Sequence, residues 1–378
     1  MIPQHGILEI SRSRLAHNVR EIRRQIPPHA QICATIKADA YGHSVRHIAP
    51  LLSEADIRWA AVFTLQEALD VASAANFHIL MLAPLVLESS TDEALAPLLA
   101  NAPRIRPTLI DLASARRLSE MVSHDRPGSV LPVHIQIDTG LTRGGADPAD
   151  AADLAAAIHN LPGLHLEGVF AHLSHGDVPH HDASSQQLAD FHALADPLKR
   201  QWPRLLLHLQ NSGGAWSLND PSLDMVRTGI ALYGLQPSTA APILQLQPIA
   251  RVTAPVLAVH HRPAGTGVGY GHSFIADRPS HIAVVPVGYA DGYPRLASNR
   301  GLIAQLNGHA APLVGRISMD QMTIDVTGIP AALGDQVTVV SWNVGDANSL
   351  DALADSIGTI GYELATHFGP RLKRIVVE

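Results

Sequence analysis

An eight-stranded parallel α/β barrel of the TIM-like class, followed by a mainly β domain, is the fold that this sequence predicts. Apolar β-type runs recur before residue 235, usually about 20 to 30 residues apart, and helical or turn-like segments separate most of them. After about residue 240 the chain changes to short β-type runs. Near-continuous apolar strands that alternate with helices are typical of a parallel sheet covered on both faces.

The candidate barrel strands number eight, which favours a closed barrel over an open doubly wound sheet. In chain order they are QICATIKA (31–38), WAAVFT (59–64), HILMLA (78–83), RIRPTLI (104–110), VHIQID (133–138), HLEGVFAHL (165–173), LLLHLQ (205–210) and SLDMVRTGI (222–230). Two helices carry capping signals: Asp147 with Pro148 opens DPADAADLAAAIHN, and Asp111 heads LASARRLSEMV. SSQQLADFHALADPLKR has an apolar stripe at helical spacing.

The C-terminal part of the chain consists of short β-type runs. They are PIARVTAPVLAVHH, HIAVVPVGYADG, GLIAQLNGHAAPLVGRISMDQMTIDVT and DQVTVVSW. Asn307-Gly308 predicts a tight hairpin between two strands. The stretch QPSTAAP (236–242) marks the change, so we expect a barrel domain over residues 10–236 and a β-strand domain formed by residues 1–9 and 237–378.

Composition argues against several classes of protein. The 378 residues are 46% hydrophobic and 16% charged, which is typical of a globular chain. A net charge of −7 and a pI near 6.3 argue against a nucleic-acid surface. No apolar run approaches the length of a membrane span, and the N-terminus lacks a signal-peptide core. The single cysteine, Cys33, fits a reducing compartment, so we expect the protein in the cytoplasm.

Polar residues at the predicted strand ends are the candidates for a functional site, because α/β barrels form active sites at the carboxyl ends of their strands. They are Lys37 with Tyr41, Asp138 with Arg143, His172, Asn211 with Ser212, and Arg227 with Gly229. If the barrel closes, all of them converge on one mouth. That convergence, rather than any single residue, indicates a site.

Lys37 ends the first predicted barrel strand, and two interpretations of it stay open. Its side chain could extend to solvent. Alternatively, burial lowers the pKa of the amine, and a neutral amine can form a Schiff base with an aldehyde such as pyridoxal phosphate (PLP). PLP also needs a phosphate cradle, which the small residues of Ser212-Gly213-Gly214 and Gly229-Ile230 could provide, although NSGG could equally form only a tight turn.

Arg227 ends an otherwise apolar strand. A salt bridge to Asp224 is the simple explanation. If Arg227 faces a PLP ring instead, it would leave the pyridine nitrogen unprotonated, because a guanidinium is effectively never deprotonated. The ring would then be a weaker electron sink, which suits returning a proton to Cα and discourages transamination.

The segments around these residues resemble the alanine racemase family of barrel-type PLP enzymes. The matching segments are IKADAYGHS, IDTGLTRGG, AHLSHGD, NSGG, MVRTGIALYGL, GVGYGHS, VPVGYADGYPR and VGRISMDQM. They follow the family's order over nearly the whole chain, which makes the match specific. The resemblance implies a PLP-dependent racemase that interconverts L- and D-alanine and supplies D-alanine for peptidoglycan. It also implies a head-to-tail homodimer whose active sites use both subunits.

The resemblance implies a role for each matching residue. Lys37 would be the Schiff-base lysine and the base on the D side, and Tyr270 of the partner subunit would act on the L side. Cofactor contacts would come from Tyr41, Asn211, Ser212, Gly229 and Ile230, with Arg227 at the pyridine nitrogen and His172 bridging toward Tyr270. The substrate carboxylate would meet Arg143 and the backbone of the partner's Met319, while Tyr289 and Asp320 would narrow the entrance. We expect no metal ligands.

Two positions depart from the family pattern. Gln136 stands where many members carry a lysine modified to a carbamate. An amide cannot neutralise Arg143, so we predict a more positive pocket or a bound small anion. Pro370 stands where many members have a tyrosine near the phosphate. We therefore expect looser phosphate binding or a wider entrance, with serine as the second substrate.

Three other functions compete with this one. The 22 histidines raise the hypothesis of a metal hydrolase, but the sequence contains no His-x-His pair. Pairs with helix-like spacing, such as His43 with His47, stand among histidines that are otherwise scattered. Barrel-type PLP decarboxylases follow a different pattern, in which a carboxylate faces the pyridine nitrogen. Arg227 argues against membership of that class. A non-catalytic PLP carrier resembles the barrel alone, so the β domain with Tyr270 and Met319 argues against it.

Overall fold

A short N-terminal strand, β1 (Ile7–Ser11), precedes eight strands that form one parallel sheet in the computed structural model, which describes residues 5–87, 92–218, 220–237 and 245–378. The eight are β2 (Gln31–Thr35), β3 (Trp59–Val62), β4 (His78–Pro84), β5 (Ile105–Leu109), β6 (Leu131–Gln136), β7 (Leu164–Phe170), β8 (Leu206–His208) and β9 (Met225–Thr228). Each overlaps one predicted strand, so the predicted α/β barrel is confirmed.

The parallel sheet closes on itself. Its strand order is β8-β7-β6-β5-β4-β3-β2-β9. Hydrogen bonds from Asp224 N to Leu207 O (2.9 Å) and from Arg227 N to Gln210 O (3.0 Å) link each of the two outer strands, β8 and β9, to a residue that flanks the other. Inward-facing side chains fill the barrel as one small buried cluster, formed by Cys33, Trp59, Ala61, Leu80, Phe170 and Met225. The carboxyl ends of all eight strands therefore surround one opening.

Helices alternate with the strands. They are α1 (Arg12–Gln25), α2 (Lys37–Tyr41), α3 (Val45–Glu54), α4 (Leu65–Ala74), α5 (Asp92–Ala100), α6 (Leu112–Asp125), α7 (Ala151–Asn160), α8 (Asp182–Gln201) and α9 (Gly214–Ser217), with α10 (Leu350–Ile357) and α11 (Gly361–Thr366) near the C-terminus. Asp111 caps α6 as predicted, because its carboxylate accepts the Ser114 N–H at 2.7 Å. The predicted cap at Asp147 is wrong. Its carboxylate accepts the Ala149 N–H (2.9 Å) in a separate turn, and α7 begins only at Ala151.

The C-terminal part is built from short strands, which confirms the predicted β domain. They are β10 (Ala250–Pro255), β11 (Ala258–Arg262), β12 (Gly267–Val268), β13 (Phe274–Ile275), β14 (Ser280–Val285), β15 (Ile303–Leu306), β16 (His309–Pro312), β17 (Met322–Asp325), β18 (Gln336–Val340) and β19 (Lys373–Val377). The largest sheet of this part has six strands in the order β16-β15-β18-β10-β1-β19, so the N-terminal strand belongs to it. Strands β11, β14 and β17 form a second sheet, and β12 and β13 form a third.

The predicted hairpin at Asn307-Gly308 is confirmed. These two residues join β15 to β16, which pair antiparallel, and their φ angles are 51° and 79°. Positive φ at both central positions is what a two-residue hairpin turn of type I′ requires. Residues 238–242 of the predicted boundary lie outside the described residues, and the domain limits at 10–236, 1–9 and 237–378 stay a prediction. Within the described ranges, none of the helices combines the length and the apolarity that a membrane crossing needs.

A half-buried histidine ties α8 to the loop that leads into β9. Nδ1 of His192 lies 2.9 Å from the carboxylate of Asp196, and its Nε2 lies 2.7 Å from that of Asp220. Burial lowers the pKa of His192, but the hydrogen bonds and charges of the two aspartates outweigh burial and raise it. Because both ring nitrogens face carboxylates, the imidazolium is the form that fits this contact.

Replacing His192 by glutamine should destabilise the protein more at about pH 6 than at about pH 9. The raised pKa means that the imidazolium stabilises the fold fully below the ordinary histidine pKa of about 6.5, and that this contribution is lost as the pH rises through the raised value. Since the contact is partly exposed, we expect His192→Gln to lower the melting temperature by only ~2 °C at the lower pH. Differential scanning calorimetry at both pH values measures this, and an equal loss at both would contradict the charged contact.

Candidate active site

Lys37 stands two residues after the end of β2, where the backbone enters an uncommon conformation. The four residues that follow it, Ala38, Asp39, Ala40 and Tyr41, all have φ between 51° and 56°, so the short helix α2 is left-handed. None of them is glycine, and each L-residue in this conformation costs roughly 1–2 kcal/mol. We call this segment the left-handed turn. It persists only because surrounding contacts determine it.

Neighbouring elements hold the left-handed turn at both of its ends. The carboxylate of Glu67, on α4, accepts the Ala38 N–H at 2.7 Å. At the other end, Gly42 has a φ of 78°, and a Cβ there would lie 2.2 Å from the carbonyl oxygen of Ala365. The guanidinium of Arg374 donates to the Gly42 carbonyl oxygen at 3.0 Å. A barrel helix and the C-terminal part of the chain therefore clamp the backbone that follows the lysine.

A cavity of about 400 Å³ opens at the carboxyl ends of the barrel strands. The predicted residues that line it are Lys37, Tyr41, Arg143, His172, Asn211, Ser212, Arg227, Gly229 and Ile230. The structure thus brings together the strand-end residues that the sequence predicts to converge. Asp138 is the exception, because its carboxylate accepts backbone N–H groups of its own loop, from Gly140 to Thr142.

The cavity carries positive charge without a matching carboxylate. Lys37, Arg143 and Arg227 line it, whereas no aspartate or glutamate among the described residues does. Burial lowers the pKa of Lys37, the charge of Arg143 lowers it further, and Glu67 opposes both. Burial and the neighbouring cations lower the pKa of His172 to about 3, so its imidazole is neutral at physiological pH. The site is therefore suited to an anionic ligand.

Arg227 is buried beside the cavity, with only 3% of its surface exposed. It donates to Nδ1 of His208 (2.6 Å) and to three backbone carbonyl oxygens, including that of Ala171 (2.6 Å). Asp224 pairs with Lys199 instead, at 2.9 Å. The simple explanation by a salt bridge to Asp224 is therefore wrong, and the guanidinium is held by neutral acceptors.

A chain of hydrogen bonds leads from Arg227 through the barrel interior. Because a guanidinium only donates, His208 accepts at Nδ1 and carries its proton on Nε2, which lies 2.9 Å from Nδ1 of His134. His134 then donates from Nε2 to Glu167 (3.2 Å), and Arg106 donates to the same carboxylate (2.8 Å). Burial raises the pKa of Glu167, but these hydrogen bonds and charges outweigh it and bring the pKa to about 2. An ionised carboxylate thus orients both imidazoles.

Hydroxyl and backbone N–H groups gather where β8 and β9 end. Ser212 Oγ accepts the Gly229 N–H at 2.9 Å, and Ile230 begins a 3-10 helix whose first N–H groups have no partner within that helix. A Cβ at Gly229 would lie 2.6 Å from the Tyr41 hydroxyl, so the glycine leaves room for this hydroxyl. Burial raises the pKa of Tyr41 to about 12, so the phenol remains a donor. These donors fit the phosphate of PLP, and the amine of Lys37 fits its aldehyde.

Two family models cover most of the chain. The model described as "Alanine racemase, N-terminal domain" matches residues 10–237, and "Alanine racemase, C-terminal domain" matches residues 249–376. The chain belongs to the alanine racemase family. This membership confirms the resemblance seen in the sequence and makes the protein an isomerase of amino acids.

Relatives of this racemase match it over nearly their full length. The alanine racemase of Synechocystis sp. is 35% identical, with 100% of both chains covered, and that of Desulfovibrio desulfuricans is 36% identical, with 98% of this chain and 97% of the relative covered. Among solved structures, the alanine racemase of D-cycloserine-producing Streptomyces lavendulae has a TM-score of 0.89 at 29% identity, covering 100% and 98% of the two chains. That of Bartonella henselae, with covalently bound pyridoxal phosphate, has a TM-score of 0.83 at 31% identity, covering 99% and 100%.

The other predicted residues of this racemase lie in its β domain and do not line the cavity of their own chain. Tyr270, Met319 and Tyr289 are 70%, 52% and 41% exposed, respectively. Asp320 follows Met319 and accepts a hydrogen bond from Arg371 at 2.6 Å. One chain therefore brings its barrel residues together but leaves these four residues outside the cavity.

The two departures from the family pattern have different surroundings in this racemase. The Gln136 amide donates to the carbonyl oxygen of Gly144 (3.0 Å), and across the described ranges no hydrogen bond joins it to Arg143. A pocket more positive than that of the members with the carbamate, or a bound small anion, stays a prediction. Pro370 is not among the residues that line the cavity.

Sequence reasoning missed Tyr362, which lines the cavity of the racemase beside Tyr41. The centroids of the two rings are 6.4 Å apart. A second tyrosine therefore reaches this cavity from α11 rather than from position 370. The segment IGYELATHFGPRLKR resembles the family's C-terminal end, but nothing in it shows that α11 packs against the barrel mouth.

Replacing Arg227 by lysine should destabilise the racemase by about 2–4 kcal/mol. An ammonium keeps the charge but cannot serve the His208 nitrogen and three carbonyl oxygens at once, so buried acceptors lose their partners. Urea unfolding followed by circular dichroism measures the change in the free energy of unfolding. Arg300→Lys, at an exposed position, is the matched control and should change it by less than about 0.5 kcal/mol. Equal effects in the two variants would refute this account of Arg227.

Proposed function

We propose that this racemase interconverts L-alanine and D-alanine with PLP attached to Lys37. The observation that carries the proposal is the charge of the cavity, which three cationic side chains and, among the described residues, no carboxylate line. One of the three is a lysine whose pKa is lowered by burial. An aldehyde that carries a phosphate group matches both features. The covalently bound pyridoxal phosphate of the Bartonella henselae relative supports the same cofactor here.

Different lining residues would bind different parts of the cofactor and the substrate. When bound, PLP would withdraw electron density from the substrate's Cα–H bond. Arg227 only donates, so it would leave the pyridine nitrogen unprotonated and favour return of the proton over transamination. Arg143 would bind the substrate carboxylate. The phosphate would be held by Tyr41, Ser212, Gly229 and Ile230, with Asn211 beside them.

Racemisation needs one base on each face of Cα. The amine of Lys37 lies at the cavity, and its lowered pKa brings it closer to a proton acceptor than a surface lysine. Tyr270 of the partner subunit would be the second base.

A neutral histidine would connect the second base to the cofactor site. His172 lines the cavity, and its Nδ1 lies 3.4 Å from the guanidinium of Arg227. Because a guanidinium only donates, this contact leaves the proton on Nε2, free to face Tyr270 of the partner subunit. The lowered pKa of His172 keeps the ring from adding another positive charge.

A head-to-tail homodimer would complete the site. Tyr270, Tyr289, Met319 and Asp320 lie outside the cavity of their own chain, although the proposed reaction uses them at the barrel mouth. In a two-fold dimer each β domain can serve the barrel of the other subunit. The backbone of the partner's Met319 would then meet the substrate carboxylate, and Tyr289 and Asp320 would narrow the entrance.

Alanine is the proposed substrate, and D-alanine for peptidoglycan in the cytoplasm is the proposed use. Serine is the second candidate, although Pro370, the departure that suggested it, does not line the cavity and Tyr362 does. A further cavity of about 720 Å³ shares Arg143, His172, Asn211 and Tyr362 with the first, so space for a longer side chain adjoins the site.

Lys37→Ala should abolish both covalent PLP and racemisation, because no other lysine lines the cavity within the described ranges. Intact-protein mass spectrometry after borohydride reduction measures the attached cofactor. Chiral chromatography measures D-alanine formed from L-alanine and, separately, D-serine from L-serine. Lys373→Ala, on the edge strand β19, is the matched control and should behave as wild type. Retained PLP in Lys37→Ala would mean that another lysine holds the cofactor, and faster D-serine in the wild type would favour the serine alternative.

Mixing Lys37→Ala with Tyr270→Phe should restore activity that neither variant has alone. If each site takes Lys37 from one subunit and Tyr270 from the other, a mixed dimer contains one intact site. Random exchange of subunits makes about half of the dimers mixed, so about a quarter of all sites are intact and we expect about a quarter of the wild-type rate. The rate is measured with L-alanine after the subunits have been exchanged. No recovery in demonstrably mixed dimers would contradict the shared site. Full activity of Tyr270→Phe alone from L-alanine would contradict the two-base mechanism.

A further inference from the structure

Glu67 accepts hydrogen bonds from the backbone that follows two neighbouring barrel strands, β2 and β3. Its Oε1 accepts the N–H of Ala38, the residue directly after Lys37, at 2.7 Å. Its Oε2 accepts the N–H groups of Phe63 (2.8 Å) and Thr64 (2.9 Å) at the start of α4. One carboxylate therefore connects the end of β3 with the end of β2.

The carboxylate of Glu67 is itself held in place. Helix α4 begins with a capping box, in which Thr64 Oγ1 accepts the Glu67 N–H (3.2 Å) while Glu67 accepts the Thr64 N–H. A negative charge in the first helical turn also interacts favourably with the helix dipole. The acceptor that meets Ala38 is thus fixed by a helix rather than by a mobile loop.

The backbone that Glu67 holds is the part of the site that most needs support. The left-handed turn runs through non-glycine residues from Ala38 to Tyr41, and each disfavours this conformation. Asp39 supports the later part of the turn, because its carboxylate accepts the Val45 N–H at 2.7 Å. Glu67 supports the end that adjoins Lys37.

We propose that Glu67 is a positioning residue for Lys37: by anchoring the Ala38 N–H to α4, it fixes the left-handed turn and keeps the lysine amine at the cavity. The inference rests on the proposed attachment of PLP to Lys37. Glu67 does not line the cavity, so it acts through the backbone and does not touch the ligand. Its charge has a second effect, since it opposes the lowering of the Lys37 pKa by burial and by Arg143.

Glu67→Ala should weaken PLP binding by at least ~10-fold, because a charged acceptor is lost from a strained turn. Absorbance titration of the full chain with PLP measures the apparent Kd. A second measurement needs no cofactor. Hydrogen–deuterium exchange with mass spectrometry should show faster exchange over residues 36–44 in Glu67→Ala than in the wild type.

Two further variants separate positioning from a general loss of helix stability. Thr64→Ala removes the other half of the capping box but leaves the carboxylate bonded to Ala38. It should lower the melting temperature while keeping the PLP affinity within about twofold and the exchange of residues 36–44 unchanged. In Glu67→Gln the amide oxygen can still accept the Ala38 N–H, so both readouts should fall between wild type and Glu67→Ala. If Glu67→Ala does not fold, Glu67→Gln takes its place in the comparison with the wild type and Thr64→Ala.

Three results would overturn the proposal. They are a wild-type PLP affinity in Glu67→Ala, an equal loss of affinity in Thr64→Ala, and weaker PLP binding in Glu67→Ala with unchanged exchange of residues 36–44. Failure of the proposed function would look different, because the wild-type chain itself would then attach no PLP at Lys37. That is observed before any variant is compared.

Discussion

The carboxyl ends of eight parallel strands meet at one mouth, and the whole site depends on this geometric constraint. Strands β2 and β9 are direct neighbours in the barrel, with Cys33 opposite Arg227, although almost the entire barrel sequence separates them. Parallel pairing brings the residues that follow both strands to the same side. Lys37 and Arg227 therefore line one cavity because the barrel closes, and without closure the polar strand ends would be scattered along an open edge.

Two carboxylates orient the cations of the cavity without entering it. Glu67 holds the backbone after Lys37, and Glu167 orients the imidazoles of His134 and His208, of which the second meets Arg227. Neither glutamate lines the cavity. This arrangement places each cationic group firmly and still leaves its charge available to an anionic cofactor or substrate. A carboxylate in direct contact would have neutralised the same charge.

Local patterns predicted the elements whose cause is local. The eight strands were found from apolar runs, the Asn307-Gly308 hairpin from a two-residue turn signal, and the Asp111 cap from a residue type that accepts backbone N–H groups. Asp147 carries the same signal as Asp111, yet its carboxylate closes a turn before the helix. The left-handed turn after Lys37 left no signal, because its stability comes from Glu67 and Arg374, which lie far away in sequence.

By itself the sequence determined the order of the elements, the residues at the strand ends and, through its resemblance to a family, the cofactor to expect. Tertiary structure alone decided how those residues are held. Tyr362 reaches the cavity because α11 packs near the barrel mouth, and Arg227 meets neutral acceptors because Asp224 pairs with Lys199. Both depend on contacts between residues that are distant in the chain. Residue type and spacing report which groups can bond, whereas the packing of the folded chain decides which partner each group meets.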